Sequence, residues 1–183
     1  MQLLRLDPND SRSWGLWPEF ERRVRGFLHI YSPSLGDEEM FVTELRTRWV
    51  QTPKLAGYWL VLDGEGILET RIVGHVLSYV QVQYTQPYIF VYQVESEKLG
   101  ESRPVLIELQ DKIYRWIVEL NEQLRAAGGK EITYVEHWSH HPAKVWSRLV
   151  PEIKQERVVE AIRIDVASYT PIVEQEYRNG VRQ

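Results

Sequence analysis

The sequence predicts a mixed α/β fold, antiparallel in its N-terminal strands and parallel at one later crossover. Three observations predict it. Apolar residues recur at three- and four-residue steps over three separate stretches, which marks amphipathic helices. Three strand-like segments follow one another with only short turns between them, which marks antiparallel hairpins. The last of these runs into a long helical stretch and then another strand, and such a passage returns as a parallel crossover.

Leu3 to Leu6 reads as a short first strand, stopped by Asp7-Pro8. Asp10 or Ser11 caps a helix on which Trp14, Trp17, Phe20, Val24, Phe27 and Leu28 share a face, with Pro18 near its start. Ser32-Pro33-Ser34 breaks it. Gly36-Asp37-Glu38-Glu39 opens a second helix, with Phe41, Leu45 and Trp49 on one face. The acids here read as a helix N-terminus.

Tyr58 to Leu62 is a strand, and Asp63-Gly64-Glu65-Gly66 is its turn. Arg71 to Tyr84 is a long strand whose end, Val80 to Tyr84, alternates and is expected to be half exposed. Gln86-Pro87 reads as the next turn. Tyr88 to Val94 is apolar on both faces and suits a central strand. The long helix carries Leu106, Leu109, Ile113, Trp116 or Ile117, Leu120 and Leu124. Ser102 caps it, Pro104 falls in its first turn, and Gly128-Gly129 ends it. Ile132 to Val135 is a strand, Pro142 to Leu149 a short helix, and Val158 to Ile164 a last strand. The chain reads as one domain over residues 1–165, with residues 166–183 a C-terminal tail or edge element.

Composition bounds the function. The chain has 183 residues, 43% of them hydrophobic, enough for a substantial core. Net charge is −4 with no basic block, so nucleic-acid binding gets no support. With no cysteine, disulfides, thiolate metal sites and a cysteine nucleophile are excluded. The first residues form no signal peptide and no stretch spans a bilayer, so a cytoplasmic location is the expectation.

Changing from antiparallel to parallel pairing opens a topological switch, where a ligand crevice often lies. The turn at that point is Glu95 to Ser102. A glycine-bearing turn before a helix N-terminus can cradle phosphate. The amides of Leu99, Gly100, Glu101 and Ser102 are the candidate cradle, with charge from Lys98 and Arg103. Three acids (Glu95, Glu97, Glu101) against those two bases leave the turn at −1. Carboxylates in a first helical turn also satisfy the helix dipole themselves.

The element order and this turn resemble the GNAT superfamily of acetyl-coenzyme A-dependent N-acetyltransferases, over roughly residues 1–165. In that family a loop of the form Gln/Arg-x-x-Gly-x-Gly/Ala holds the coenzyme pyrophosphate. The matching residues are Glu97-Lys98-Leu99-Gly100-Glu101-Ser102, with the central glycine present and Glu at the first position. Ala126-Ala127-Gly128 ends the long helix, and His141-Pro142-Ala143 stands where the family often has Asn-x-x-Ala. The resemblance implies a three-layer α/β/α fold and acetyl-coenzyme A as cofactor. It implies direct transfer to a small-molecule or peptide amine. It also implies that backbone groups at Val94 pair with the pantetheine arm.

The densest chemical cluster is Glu136-His137-Trp138-Ser139-His140-His141. Acetyl transfer to an amine needs a base for the amine proton and an acid for the thiolate. Glu136 or His137 is the candidate base. His140 is the candidate acid, because the family's usual tyrosine is absent between Tyr134 and Tyr169. Three histidines close in sequence raise a metal site as rival chemistry, but no helical spacing favours one and no metal is expected. The bland alternative for this stretch is a polar loop. Tyr79, Gln81, Gln83 and Tyr92 are candidates for an acceptor groove or for a sheet face under a helix. His29 and His75 read as structural. The rival function is a GNAT-fold binding or assembly module without catalysis, from a virus or mobile element for example, self-associating or docking a protein through Trp14, Trp17, Trp49 and Trp138.

Overall fold

The structure, a computed structural model, describes residues 2–31, 37–64, 70–97, 103–138, 155–158 and 161–165. Its elements are β1 (Gln2–Arg5), α1 (Ser11–Tyr31), α2 (Glu38–Gln51), a single 3-10 turn (Pro53–Leu55), β2 (Ala56–Asp63), β3 (Arg71–Gln83), β4 (Gln86–Ser96), α3 (Arg103–Ala126), β5 (Tyr134–Trp138), β6 (Gln155–Val158) and β7 (Ala161–Asp165). The strand order is β1-β2-β3-β4-β5-β7-β6. The β4–β5 pair, joined through α3, is parallel and the remaining pairs are antiparallel. This is the mixed α/β sheet that the hairpins and the crossover predict.

The described residues fall into two compact units. The first holds β1, α1, α2, β2, β3 as far as Val80, and β4 from Val91. Its core is aromatic: Trp17, Phe20, Trp49 and Tyr58 are buried with Leu6, Val24, Leu28, Leu45, Leu60 and Leu77. Trp17 stacks on Trp49 at 4.6 Å and Phe20 on Tyr58 at 5.3 Å. Trp49 also donates its indole N–H to the Leu6 carbonyl at 3.1 Å. The Asp37 side chain caps α2 by accepting from the Met40 amide at 2.8 Å.

Of the four expected interface tryptophans, Trp17 and Trp49 are core, and the side chain of Trp138 lies outside the described residues. Trp17 and Trp49 are buried and stack on each other, since helical spacing puts each on the inward face of its helix. Trp14 is 40% exposed, but its indole N–H donates to the Pro8 carbonyl and its ring packs against Trp49.

The second unit holds the hairpin segment Gln81–Phe90, α3 and β5 to β7. Leu109, Ile113, Trp116, Ile117 and Leu120 form the buried stripe of α3. The helix ends as the paired glycines predict. Gly128 sits at φ +69°, its amide reaches the Arg125 carbonyl at 3.0 Å, and the Gly129 amide reaches that of Leu124 at 2.8 Å. That is the Schellman pattern.

Several boundaries differ from the sequence reading. The β3–β4 turn is Tyr84-Thr85, both at positive φ, and Gln86-Pro87 already belongs to β4. Pro87 fits there because proline is tolerated next to the first residue of a strand. Val82 and Tyr84 at this tip are 68% and 91% exposed and Gln83 is exposed too, so the strand end stands clear on both faces rather than half exposed as the alternation predicts. β5 begins at Tyr134 rather than Ile132. The reason is Asn121 of α3, whose side-chain carbonyl accepts the Ile132 amide at 2.7 Å while its amide donates to the Ile132 carbonyl at 2.9 Å. The expected last strand is two strands, with Val158 opposite Ala161. Folding back lets β6 pair the outer backbone groups of β7 that one strand would leave open. The expected helix over 142–149 and the tail lie outside the described residues. Among the described residues, no helix is long and apolar enough to cross a membrane.

Candidate functional site

The site begins where β4 leaves the sheet. Gly74 of β3 lets the two strands close on each other at this point. A Cβ there would lie 2.1 Å from the Glu95 carbonyl oxygen, so no side chain fits. The Glu97 amide then continues the ladder by donating to the Val73 carbonyl at 2.8 Å. Val94, the candidate pantetheine contact, is half-buried in β4. Arg103 is the first residue of α3, whose first turn contains no acid. Lys98, Leu99, Gly100, Glu101 and Ser102 lie outside the described residues.

Two of the three acids set against an anion are already paired. The Glu97 carboxylate accepts from Arg23 of α1 at 3.0 Å on one oxygen and from Arg71 of β3 on the other. These bonds, with Arg23 foremost, hold the Glu97 carboxyl below its ordinary value of 4.5. Glu95 bonds the His75 ring at 2.9 Å and lies 3.8 Å from Arg23. The local sum of −1 therefore omits two arginines, one 26 and one 74 residues before Glu97, which no local pattern displays. The dipole argument changes as well, since the helix starts at Arg103 and the glutamates precede it.

Arg23 is the hub. Its side chain is 7% exposed, and it also donates to Glu19 at 2.8 Å and to the Ile72 carbonyl at 2.7 Å. His75 is fully buried beside it, with its second ring nitrogen 2.8 Å from the Gln93 side-chain oxygen. Phe20 and Phe27 of α1 meet the His75 ring edge-on. Sequence reasoning placed His75 as structural and missed Arg23 altogether.

β5 carries the other candidates. Glu136, His137 and Trp138 are strand residues, not loop, because the strand starts two positions late. Successive strand residues point to opposite faces. Accordingly His137 is buried and Glu136 half-buried, so the two serve different faces. In register, Glu136 is opposite Arg163 and His137 opposite Ile162 of β7. His140 and His141 lie outside the described residues. Among the described residues no group of three or more His, Asp or Glu side chains could hold a metal.

The acceptor-groove candidates divide. Tyr79 lies under the Arg48 guanidinium of α2 at 4.8 Å, and Tyr92 packs on Phe41 of α2 at 5.5 Å, so both belong to a helix-covered face. Gln81 instead accepts from the Tyr88 hydroxyl, and Tyr88 stacks on Tyr134 at 5.1 Å. Gln83 is exposed.

No family model and no curated sequence matches the chain. Solved structures do. Tetrahymena GCN5 superposes with a TM-score of 0.52, covering 93% of this chain and 99% of its own at 11% identity. The fold is GNAT-like. A NatC complex bound to a Gag peptide and CoA covers 90% of this chain and 96% of its own at 8% identity, with a TM-score of 0.49. An aminoglycoside acetyltransferase from an uncultured soil metagenomic sample, solved with sisomicin, covers 86% and 91% at 20% identity, with a TM-score of 0.46. At 11% identity the likeness to GCN5 shows the fold alone.

Proposed function

We propose that the protein transfers an acetyl group from acetyl-coenzyme A to a primary amine. The observation that carries this reading is the pairing of Glu97 with Arg23 and Arg71. It neutralises the residue that most opposed an anion at the exit of β4. The GNAT-like fold and the acid-free first turn of α3 support the same reading.

In this reaction the amine nitrogen attacks the thioester carbonyl. A C–N bond forms, the C–S bond breaks, and the thiolate leaves. The amine proton passes to Glu136, which is more accessible than His137. His140 supplies a proton to the thiolate. Backbone at Val94 pairs with the pantetheine arm, and Leu99, Gly100, Glu101 and Ser102 hold the pyrophosphate with charge from Lys98 and Arg103. The alternative of an inactive binding module loses two of its four interface candidates, since Trp17 and Trp49 are interior.

Titration with acetyl-coenzyme A tests the reading. At a hundred times its dissociation constant a ligand stabilises the fold by about 2.7 kcal/mol. An unchanged melting temperature at millimolar ligand refutes it. Where binding is seen, Gly100→Glu is expected to abolish it, and unchanged affinity would move the coenzyme elsewhere.

A further inference from the structure

We propose that Arg23 and Arg71 form an anion site that Glu97 occupies in place of a phosphate group, so that Glu97 acts as an internal competitor of the coenzyme. The inference rests on the coenzyme reading for the identity of the anion.

The geometry is that of a clamp. Each oxygen of the Glu97 carboxylate has its own guanidinium, Oε1 on Arg23 and Oε2 on Arg71. Two guanidinium groups converging on one anionic group recognise phosphate as readily as carboxylate. The two arginines differ in freedom. Arg23 is buried and tied to Glu19 and to the Ile72 carbonyl, so it stays in place whatever Glu97 does. Arg71 is 68% and Glu97 43% exposed, and an exposed ion pair holds weakly. Glu97 can therefore yield its place without dismantling the core.

Charge points the same way. Arg23 and Arg71 balance Glu95 and Glu97, and Arg22 is paired with Glu19 at 2.6 Å. Displacing the Glu97 carboxylate leaves this set at +1, which an incoming phosphate oxygen neutralises. Glu97 is also the residue directly after β4, so the clamp stands at the strand end where the turn begins.

The test compares the wild type with Glu97→Gln and with the Glu97→Gln/Arg71→Ala double variant. Dissociation constants for acetyl-coenzyme A and inorganic pyrophosphate are measured by calorimetry, and the fold is checked by thermal melting. Removing one exposed charge from the clamp is expected to tighten binding of both probes by roughly fivefold. Adding Arg71→Ala is expected to cancel that gain. Equal or weaker binding of both probes in Glu97→Gln overturns the inference, and it leaves the coenzyme reading intact if the wild type binds acetyl-coenzyme A. Arg71-dependent binding of pyrophosphate in Glu97→Gln, with no coenzyme binding by either protein, supports the clamp and refutes the coenzyme reading. Binding of neither probe by any variant refutes both.

Discussion

Along α1, Trp17 stacks on Trp49 of α2 and Phe20 on Tyr58 of β2, whereas the next turn meets the sheet through the charged side chain of Arg23. Both faces are buried to a similar degree. The aromatic face depends on shape and volume, which neither pH nor salt alters near neutrality. The charged face depends on protonation and on every partner being present. One helix thus contributes a permanent attachment and a conditional one, and the conditional one lies at the exit of β4.

The largest expected effect breaks the permanent side. Trp49→Ala removes the ring between Trp14 and Trp17 and is expected to cost about 3–5 kcal/mol in urea or guanidinium unfolding. Its pH dependence should stay like that of the wild type. A loss under 1 kcal/mol would mean that the aromatic cluster is not the anchor.

Next comes Arg23→Met, which leaves Glu19, Glu95 and Glu97 without their shared cation. The expected cost is about 3 kcal/mol, at the low end for a buried pair because the carboxylates remain partly exposed. Combining it with Glu97→Gln should cost less than the sum of the two, since they share one contact. Additive losses would separate the two residues energetically.

A smaller effect lies in acid. The folded Glu97 carboxyl is held below its ordinary value by Arg23 and then Arg71, and Glu19 is lowered chiefly by Arg22. A lowered folded value gives stability that is present above the unfolded value and lost as pH falls through the folded one. Melting temperature is therefore expected to fall from about pH 4.5 downward, with a shallower slope in Glu97→Gln. An identical slope in that variant would remove Glu97 from the pH response.

The smallest effect is a gain. Thr85→Gly relieves a β-branched residue at φ +66° and should stabilise by about 0.5–1 kcal/mol, after the loss of an exposed bond from Lys130. Destabilisation would show that this bond outweighs the strain.

The helices and the hairpin order were legible in the sequence because spacing is a local property. Trp17, Phe20, Val24 and Leu28 sit on the buried face that their steps of three and four predict, and Gly128-Gly129 ends α3 as paired glycines do. The turn at Tyr84-Thr85 was not legible, because neither residue is a usual choice for positive φ and the adjacent Gln86-Pro87 carries the stronger signal. The start of β5 was hidden for another reason. Ile132 and Thr133 favour strand, but a side chain eleven residues away takes both backbone groups of Ile132. The charged hub was the least legible. Arg23 and Glu97 are 74 residues apart, and helix periodicity gives no reason to bury an arginine. Glu97 thus read as an unpaired acid in the turn until its partners were known.

The Asn121 clamp on Ile132 has a kinetic consequence. Because the Ile132 amide is held by a side chain of α3 rather than by a neighbouring strand, its hydrogen-exchange rate reports the opening of the helix end. In a protein where most protected amides report strand or helix ladders, this one amide serves as a built-in gauge of when the last turns of α3 let go of the segment that leads into β5.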